Sequence, residues 1–266
     1  MRPLLRYHGG KWRLAPWIIS FFPPHRTYVE PFGGGASVLL RKARSYAEVY
    51  NDLDGEVVNL FRVLRQSPQD LIRALELTPF ARAEFVESDQ PSDDPVERAR
   101  RTVVRSHMGF GSNSLNKRNG FRAHSNRRST TPAQDWRNLP DSLGAIVERL
   151  AGVVIENRAA TAVMLAQDGP DTLHYCDPPY LPETRDKGGD YRHEMSETDH
   201  AALLIFLRGL RGHVILSGYP SALYDEMLPG WERIDRPALA DGARARTECL
   251  WLSPSTRAQG RLALYP

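Results

Sequence analysis

The sequence predicts an α/β protein with a parallel sheet and an inserted, mainly helical segment. Three observations carry this. Short apolar runs alternate with amphipathic runs toward both ends of the chain, the pattern of strand–helix–strand units. That rhythm breaks between about residues 67 and 150, far longer than the usual link between such elements. The chain has 266 residues, 41% of them hydrophobic, enough for one large domain carrying a smaller one.

The elements follow in order. TYVE (27–30) reads as a strand running into the turn PFGGGAS, and SVLLRKA (37–43) has helical character. AEVYND (47–52) reads as a second strand and DGEVVNLFRVLRQ (54–66) as a helix with one apolar face. Helical patterns in the insertion fall around 68–76 and 95–107. A stretch rich in Gly, Asn, Ser and Arg follows them. GVVIEN (152–157) is the next strand, AATAVMLAQ (159–167) a short helix and TLHYCD (172–177) a strand. SETD (196–199) fits a capping box that opens a helix. HVILSGY (213–219), WERIDR (231–236) and TECLWLS (247–253) complete the strands.

Composition narrows the function classes. The net charge of +3 permits an acidic partner without demanding one. Cys176 and Cys249 form no CxxC pair and no Cys/His spacing, so neither a disulfide framework nor a metal site is expected. The start, MRPLLRYHGGKWR, is too polar for a signal peptide, and no run approaches the ~18 apolar residues of a membrane span. The expectation is a soluble cytoplasmic protein with no membrane partner.

Three short stretches carry chemistry. In YVEPFGGGAS (28–37) a strand meets glycines, which let backbone approach a ligand closely. The spacing is not GxGxxG, which argues against an ordinary dinucleotide site. Asp52 ends the next strand, where α/β folds hold a ribose hydroxyl pair; it could equally cap the helix that starts near 54. YCDPPY (175–180) ends a third strand. Two prolines cannot continue a helix or donate to a sheet, so they stiffen the block between Asp177 and Tyr180. An acceptor beside a flat ring suits a planar group bearing an exocyclic NH₂, such as a nucleobase. By contrast, GFGSNS (109–114) lacks a third glycine and a preceding strand, so it is not a nucleotide loop.

Taken together, LRYHGGKW (5–12), YVEPFGGGASVLL (28–40), VYNDLD (49–54) and YCDPPY (175–180) resemble, in order, four motifs of the Dam-like (D12 class) DNA adenine-N6 methyltransferases. The resemblance covers most of the chain. It implies a Rossmann-like S-adenosylmethionine-dependent methyltransferase sheet, formed by 1–60 and 150–266. Residues 61–149 would then be an inserted, mainly helical target-recognition domain that binds double-stranded DNA. S-adenosylmethionine would be the cofactor. Tyr7 and Lys11 would contact it, Glu30, Pro31, Phe32 and Gly33 would line its methionine side, and Asp52 would take its ribose. Asp177 would lie at the meeting point of cofactor and base. With the Pro178 carbonyl it would accept the hydrogens of the target N6, and Tyr180 would stack on the base. Two acceptors make that nitrogen more tetrahedral and more nucleophilic, so positioning and electrostatics do most of the work. A base cannot reach such a pocket inside a duplex, so base flipping is implied.

Residues 98–134 hold nine Lys or Arg and no acid, while 84–97 is acidic. A basic patch with Asn and Ser suits phosphate contact and base-edge reading. Lys117, Arg118, Asn119, Arg122, Arg127 and Arg128 are the expected DNA contacts, with LNKRNGFR (115–122) a hairpin around Asn119-Gly120. The chain departs from the GATC-specific members here and at 121–128, so GATC is not carried over as its site. Residues 181–195 read as a lid pivoting at Gly188-Gly189, and His193 and His200 as surface or packing residues. A monomer or weak dimer is expected, because one adenine is modified at a time. The sequence names no restriction endonuclease partner. Two competing readings are a cytosine-N4 or RNA methyltransferase of the same fold, and a non-catalytic DNA-binding protein.

Overall fold

A computed structural model describes residues 1–117, 119–123, 130–185, 191–239 and 245–257. The chain divides into two units, Met1–Gly10 with Asp54–Ala151, and Lys11–Leu53 with Gly152–Pro266. Against the expected boundaries, residues 1–10, 54–60 and 150–151 fall with the insertion. Local bonds explain this. The backbone N–H of Arg6 donates to Ser106 Oγ at 2.7 Å, and His107 Nε2 lies 2.9 Å from the Leu4 carbonyl. Arg98 pairs with Glu56 at 2.6 Å and Asn59 donates to the Pro95 carbonyl.

In chain order, the larger unit begins with helix α1 (Ala15–Ile19) and strands β1 (Thr27–Glu30) and β2 (Ala47–Asn51). The helix expected over 37–43 is absent; the segment is a run of turns. Gly34 and Ala36 hold positive φ of 45° and 53° at its start. The Leu39 N–H, which a helix would give to residue 35, donates instead to Glu30 Oε2 at 2.9 Å.

The smaller unit is helical: α2 (Gly55–Gln66), α3 (Pro68–Leu77), α4 (Arg82–Glu87), α5 (Pro95–Met108), α6 (Pro132–Arg137) and α7 (Leu143–Arg149), with a 3₁₀ turn at Pro140–Ser142. Helix α5 packs against α2, α3 and α4 through buried Ala99, Val103 and Val104. Asp94 caps it, accepting from the Val96 N–H at 3.0 Å. The expected tight turn at Asn119-Gly120 is not formed. Phe110 N–H donates to the Gly120 carbonyl and Arg122 N–H to Met108, so residues 120–122 pair back on 108–110 and the turn lies upstream.

The larger unit continues with β3 (Val153–Glu156), α8 (Ala160–Gln167), β4 (Thr172–Cys176), a 3₁₀ turn (Pro182–Thr184), α9 (Glu197–Arg208), β5 (His213–Gly218), α10 (Ala222–Met227), β6 (Glu232–Leu239) and β7 (Ala245–Leu252). The sheet order is β3-β2-β1-β4-β5-β7-β6. Its first five strands are parallel; β7 runs antiparallel to both neighbours. Every residue of β4 and β5 is buried, as both-face coverage of a parallel sheet requires. The capping box at Ser196 forms as the sequence predicts, with Asp199 as its partner. Strand order reverses between β1 and β4, and ligands of open α/β sheets bind at the carboxyl ends beside such a reversal. No helix among the described residues is long and apolar enough to cross a membrane.

Candidate active site

Two clusters of functional groups sit at those carboxyl ends. The first follows β1 and β2. The glycine turn is fixed by the next strand: Gly33 N–H donates to the Asn51 carbonyl at 2.8 Å and the Tyr50 hydroxyl donates to the Gly34 carbonyl at 2.7 Å. A Cβ on Gly33 would lie 2.1 Å from Tyr50 Cε2, so only glycine fits there. Asn51 is fully buried. Its amide donates to the carbonyls of Pro31 and Arg158 and accepts from the Arg158 N–H, which ties together the loops after β1 and β3. Asp52 Oδ2 accepts the Gly34 N–H at 2.8 Å, holding a half-buried carboxylate beside the turn. The cap of α2 is Asp54, which accepts from the Glu56 N–H, so Asp52 is not spent on that task.

Glu30 and Phe32 face the interior. Glu30 is 3% exposed, and its Oε2 accepts both the Tyr28 hydroxyl (2.7 Å) and the Leu39 N–H (2.9 Å). Burial pushes its carboxyl up to about 8; those two bonds oppose the shift without cancelling it. Pro31 is buried, and Phe32 packs on the core beneath β4 and β5.

The second cluster follows β4. Lys11 Nζ makes an ion pair with Asp177 Oδ1 at 3.0 Å, and the ammonium lies over the Tyr180 ring, 4.6 Å from its centroid. Burial pulls Lys11 down, but Asp177 and Glu248 outweigh it, so the ammonium is held above the usual lysine range. Ser217 Oγ also donates to Asp177 Oδ1, at 3.0 Å. Since that serine has one proton, the Tyr175 hydroxyl 2.9 Å away must donate to it. The Tyr180 hydroxyl donates to Glu248 Oε2 at 2.8 Å, and the ring meets Tyr219 edge-on at 4.7 Å. Burial, then Asp177 and Glu248, push the Tyr180 hydroxyl well above its usual range, so it stays a donor. Pro178 is buried and Pro179 half-buried between these groups.

Of the residues expected from the sequence, this unit brings together Lys11, Asp177, Pro178 and Tyr180, and separately Glu30 to Gly33 with Asp52. Tyr7 belongs to the other unit, where its carbonyl accepts the Gly10 N–H. Glu248, Ser217 and Tyr219 were not foreseen. The one signal was an acid inside the otherwise apolar strand TECLWLS.

In the helical unit the basic stretch splits in two. Arg98 pairs with Glu56, Arg100 with Glu84 and Glu97, Arg101 with Glu97, and Arg105 donates to the Ser88 carbonyl. These four arginines, which belong to the basic stretch but not to the expected DNA contacts, brace their own unit. Lys117 and Arg122 are half-buried in the segment after α5, and Asn119 donates to the Phe110 carbonyl and Asn113. Arg118, Arg127 and Arg128, and the Gly188-Gly189 pivot, lie outside the described residues. His200 is a packing residue, buried with Nδ1 2.8 Å from the Tyr224 hydroxyl.

Residues 7–228 match the sequence profile of the D12 class N6 adenine-specific DNA methyltransferases. A Type II methyltransferase, M1.LlaDCHI, of Lactococcus lactis subsp. cremoris is 28% identical over 243 residues, covering 85% of this chain and 84% of the relative. DNA adenine methylases are similar too. That of Vibrio cholerae serotype O1 is 27% identical, covering 68% of this chain and 66% of its own. That of Serratia marcescens is 28% identical, covering 68% and 67%.

Proposed function

The chain belongs to the D12 class N6 adenine-specific DNA methyltransferase family, and from that premise we propose how its residues divide the work. The reaction is methylation of adenine N6 in DNA. S-adenosylmethionine is the donor, and when bound it supplies an electrophilic methyl group. The residues at the ends of β1 and β2 suit it. The turn at Gly33 has no room for a side chain, and Asp52, held by Gly34, suits a ribose hydroxyl pair. Pro31, Phe32 and the neutral Glu30 carboxyl form the less polar wall. Tyr7 is a further contact by family position.

Asp177 carries the acceptor chemistry. Its bonds to Lys11 and Ser217 both fall on Oδ1, so Oδ2 is the oxygen for an N6 hydrogen. The Pro178 carbonyl takes the other. Withdrawing both hydrogens from the ring plane frees the nitrogen lone pair for reaction. Tyr180 presents its ring to the flipped base, and Lys11 keeps Asp177 and that ring in one place. The helical unit reads duplex DNA through Lys117, Arg118, Asn119, Arg122, Arg127 and Arg128, and the enzyme acts as a monomer or weak dimer.

The observation that carries this reading is the Lys11–Asp177–Tyr180 cluster at the carboxyl end of β4. The test is direct. The protein is incubated with S-adenosylmethionine and unmethylated DNA, and the DNA is digested and analysed by mass spectrometry. N6-methyladenine is expected, and sequencing the product gives the site. N4-methylcytosine would overturn the base, and no methylated base would overturn the reaction.

A further inference from the structure

A cavity of about 660 Å³ opens beside the β6–β7 hairpin, on the β5 side of the acceptor cluster. Tyr219, Ser221, Arg246 and Thr247 line it, with Glu183 from the turn after the catalytic motif. Three features mark it as built for a ligand. Ser221 is 6% exposed, yet its Oγ has no hydrogen-bond partner among the described residues. Buried hydroxyls are normally satisfied, and Ser221 is one of the residues lining the cavity. The Arg246 guanidinium lies over the Tyr219 ring, 5.9 Å from its centroid, so a cation and a flat face are presented together. Finally, the cavity continues the acceptor cluster. Tyr219 touches Tyr180 edge-on, and Arg246 and Glu248 stand two residues apart on one face of β7, about 7 Å along the strand. Each ring thus has one partner from the same strand: Tyr180 with Glu248, Tyr219 with Arg246.

We propose that this cavity is a subsite for the nucleotide adjoining the flipped adenine on the same strand. Arg246 and the Ser221 hydroxyl take its phosphate, and Tyr219 stacks on its base. Glu183 supplies an acceptor, which favours a base edge carrying an amino group. The volume holds one nucleotide, and the step along β7 suits successive residues of an unstacked strand. The inference rests on the assignment of Asp177 and Tyr180 to the target adenine.

The test reads binding. A preferred duplex is selected from a random pool by the full-length protein, so no step depends on methyl transfer. Methylphosphonates are then scanned along it, and affinities are measured by fluorescence anisotropy for wild type, Arg246→Ala, Arg246→Lys and Ser221→Ala. A single neutralised phosphate next to an adenine should weaken wild-type binding about tenfold, the scale of one charge-assisted contact. Arg246→Ala should bind the unmodified duplex about tenfold more weakly and lose nothing further at that phosphate. Arg246→Lys should recover most of the loss, and the affinity for S-adenosylmethionine should stay unchanged. Wild-type affinity in Arg246→Ala, equal phosphonate losses in both proteins, or a loss of donor affinity instead would each overturn the subsite. Intact DNA binding without methyl transfer would defeat the reaction assigned above and not this contact.

Discussion

The Tyr180 hydroxyl donates to Glu248 Oε2 over 2.8 Å, joining two residues 68 apart in sequence. The bond is buried at both ends, and Lys11 lies over the same ring while paired with Asp177. One ammonium therefore stands among two carboxylates and an aromatic face. The orientation of the Tyr180 ring, proposed above to receive the base, is set from β7, not only from the stiff Pro178-Pro179 block.

This geometry makes Tyr180 and Glu248 a coupled pair. Tyr180→Phe keeps the ring and removes the bond; Glu248→Gln keeps an acceptor and removes the charge. Each is expected to slow methyl transfer about tenfold, near the 1.4 kcal/mol worth of one good hydrogen bond to a charged group. The double variant should be little worse than Tyr180→Phe alone, since the charge of Glu248 acts on the ring through the bond which that variant already lacks. Strictly additive losses in single-turnover rates would show that the two residues act apart.

Asp177→Ala removes the proposed acceptor of the N6 hydrogens. The rate is expected to fall by about 10² to 10³, the scale for deleting one preorganised polar group at a reacting centre. It also leaves the buried Lys11 without its 3.0 Å partner, so the melting temperature should drop. DNA affinity by anisotropy should stay close to wild type. Retained methylation would remove Asp177 from the chemistry.

Much of this site was legible in the sequence because its motifs are local. YVEPFGGGAS, VYND and YCDPPY each end a strand, and the apolar rhythm that marked those strands is set by covalent spacing alone. What escaped reading depends on distant partners. Glu248 reaches Tyr180 because β7 pairs antiparallel with β5, Gly218 opposite Cys249, a register no local pattern encodes. The segment 37–43 has helical composition, but the carboxylate of Glu30 captures its Leu39 N–H. The acidic stretch before residue 98 and the basic one after it looked like a polarised surface. They meet instead as Glu84 and Glu97 against Arg100 and Arg101. The short helices α4, α6, α7 and α10 fall below the length at which periodicity speaks.

Glu30 gives the fold a pH signature. A free glutamate titrates near 4.5, and burial raises this one to about 8. The neutral form is favoured in the fold, so its stabilising contribution is complete below about pH 4.5 and lost as pH rises through 8. Buried His107, His174 and His200 are held down to about 4 by burial and act oppositely, adding stability as pH rises from about 4 to 6.5. Glu30→Gln isolates the first effect, because glutamine still accepts from Tyr28 and Leu39. Its melting temperature relative to wild type should climb between pH 5 and 8 and level off above. The full difference is worth several kcal/mol at most, by order of magnitude. Parallel curves for the two proteins would show that Glu30 does not titrate in that window.

Asp52 and Asp54 stand two residues apart and have separable tasks. Asp52 accepts the Gly34 N–H beside the glycine turn, while Asp54 accepts the Glu56 N–H at the start of α2. Asp52→Asn should therefore weaken S-adenosylmethionine binding about ten- to hundredfold, the cost of a hydrogen bond to a charged group. Its melting temperature should move little, since an asparagine oxygen still meets Gly34. Asp54→Ala should do the reverse. Loss of a cap costs about 1 kcal/mol of stability, and the donor affinity should hold. Isothermal titration with donor and thermal melting of both variants distinguish the two. A donor defect in Asp54→Ala as large as that in Asp52→Asn would mean that the acid beside the turn acts by shaping the loop, not by meeting the donor.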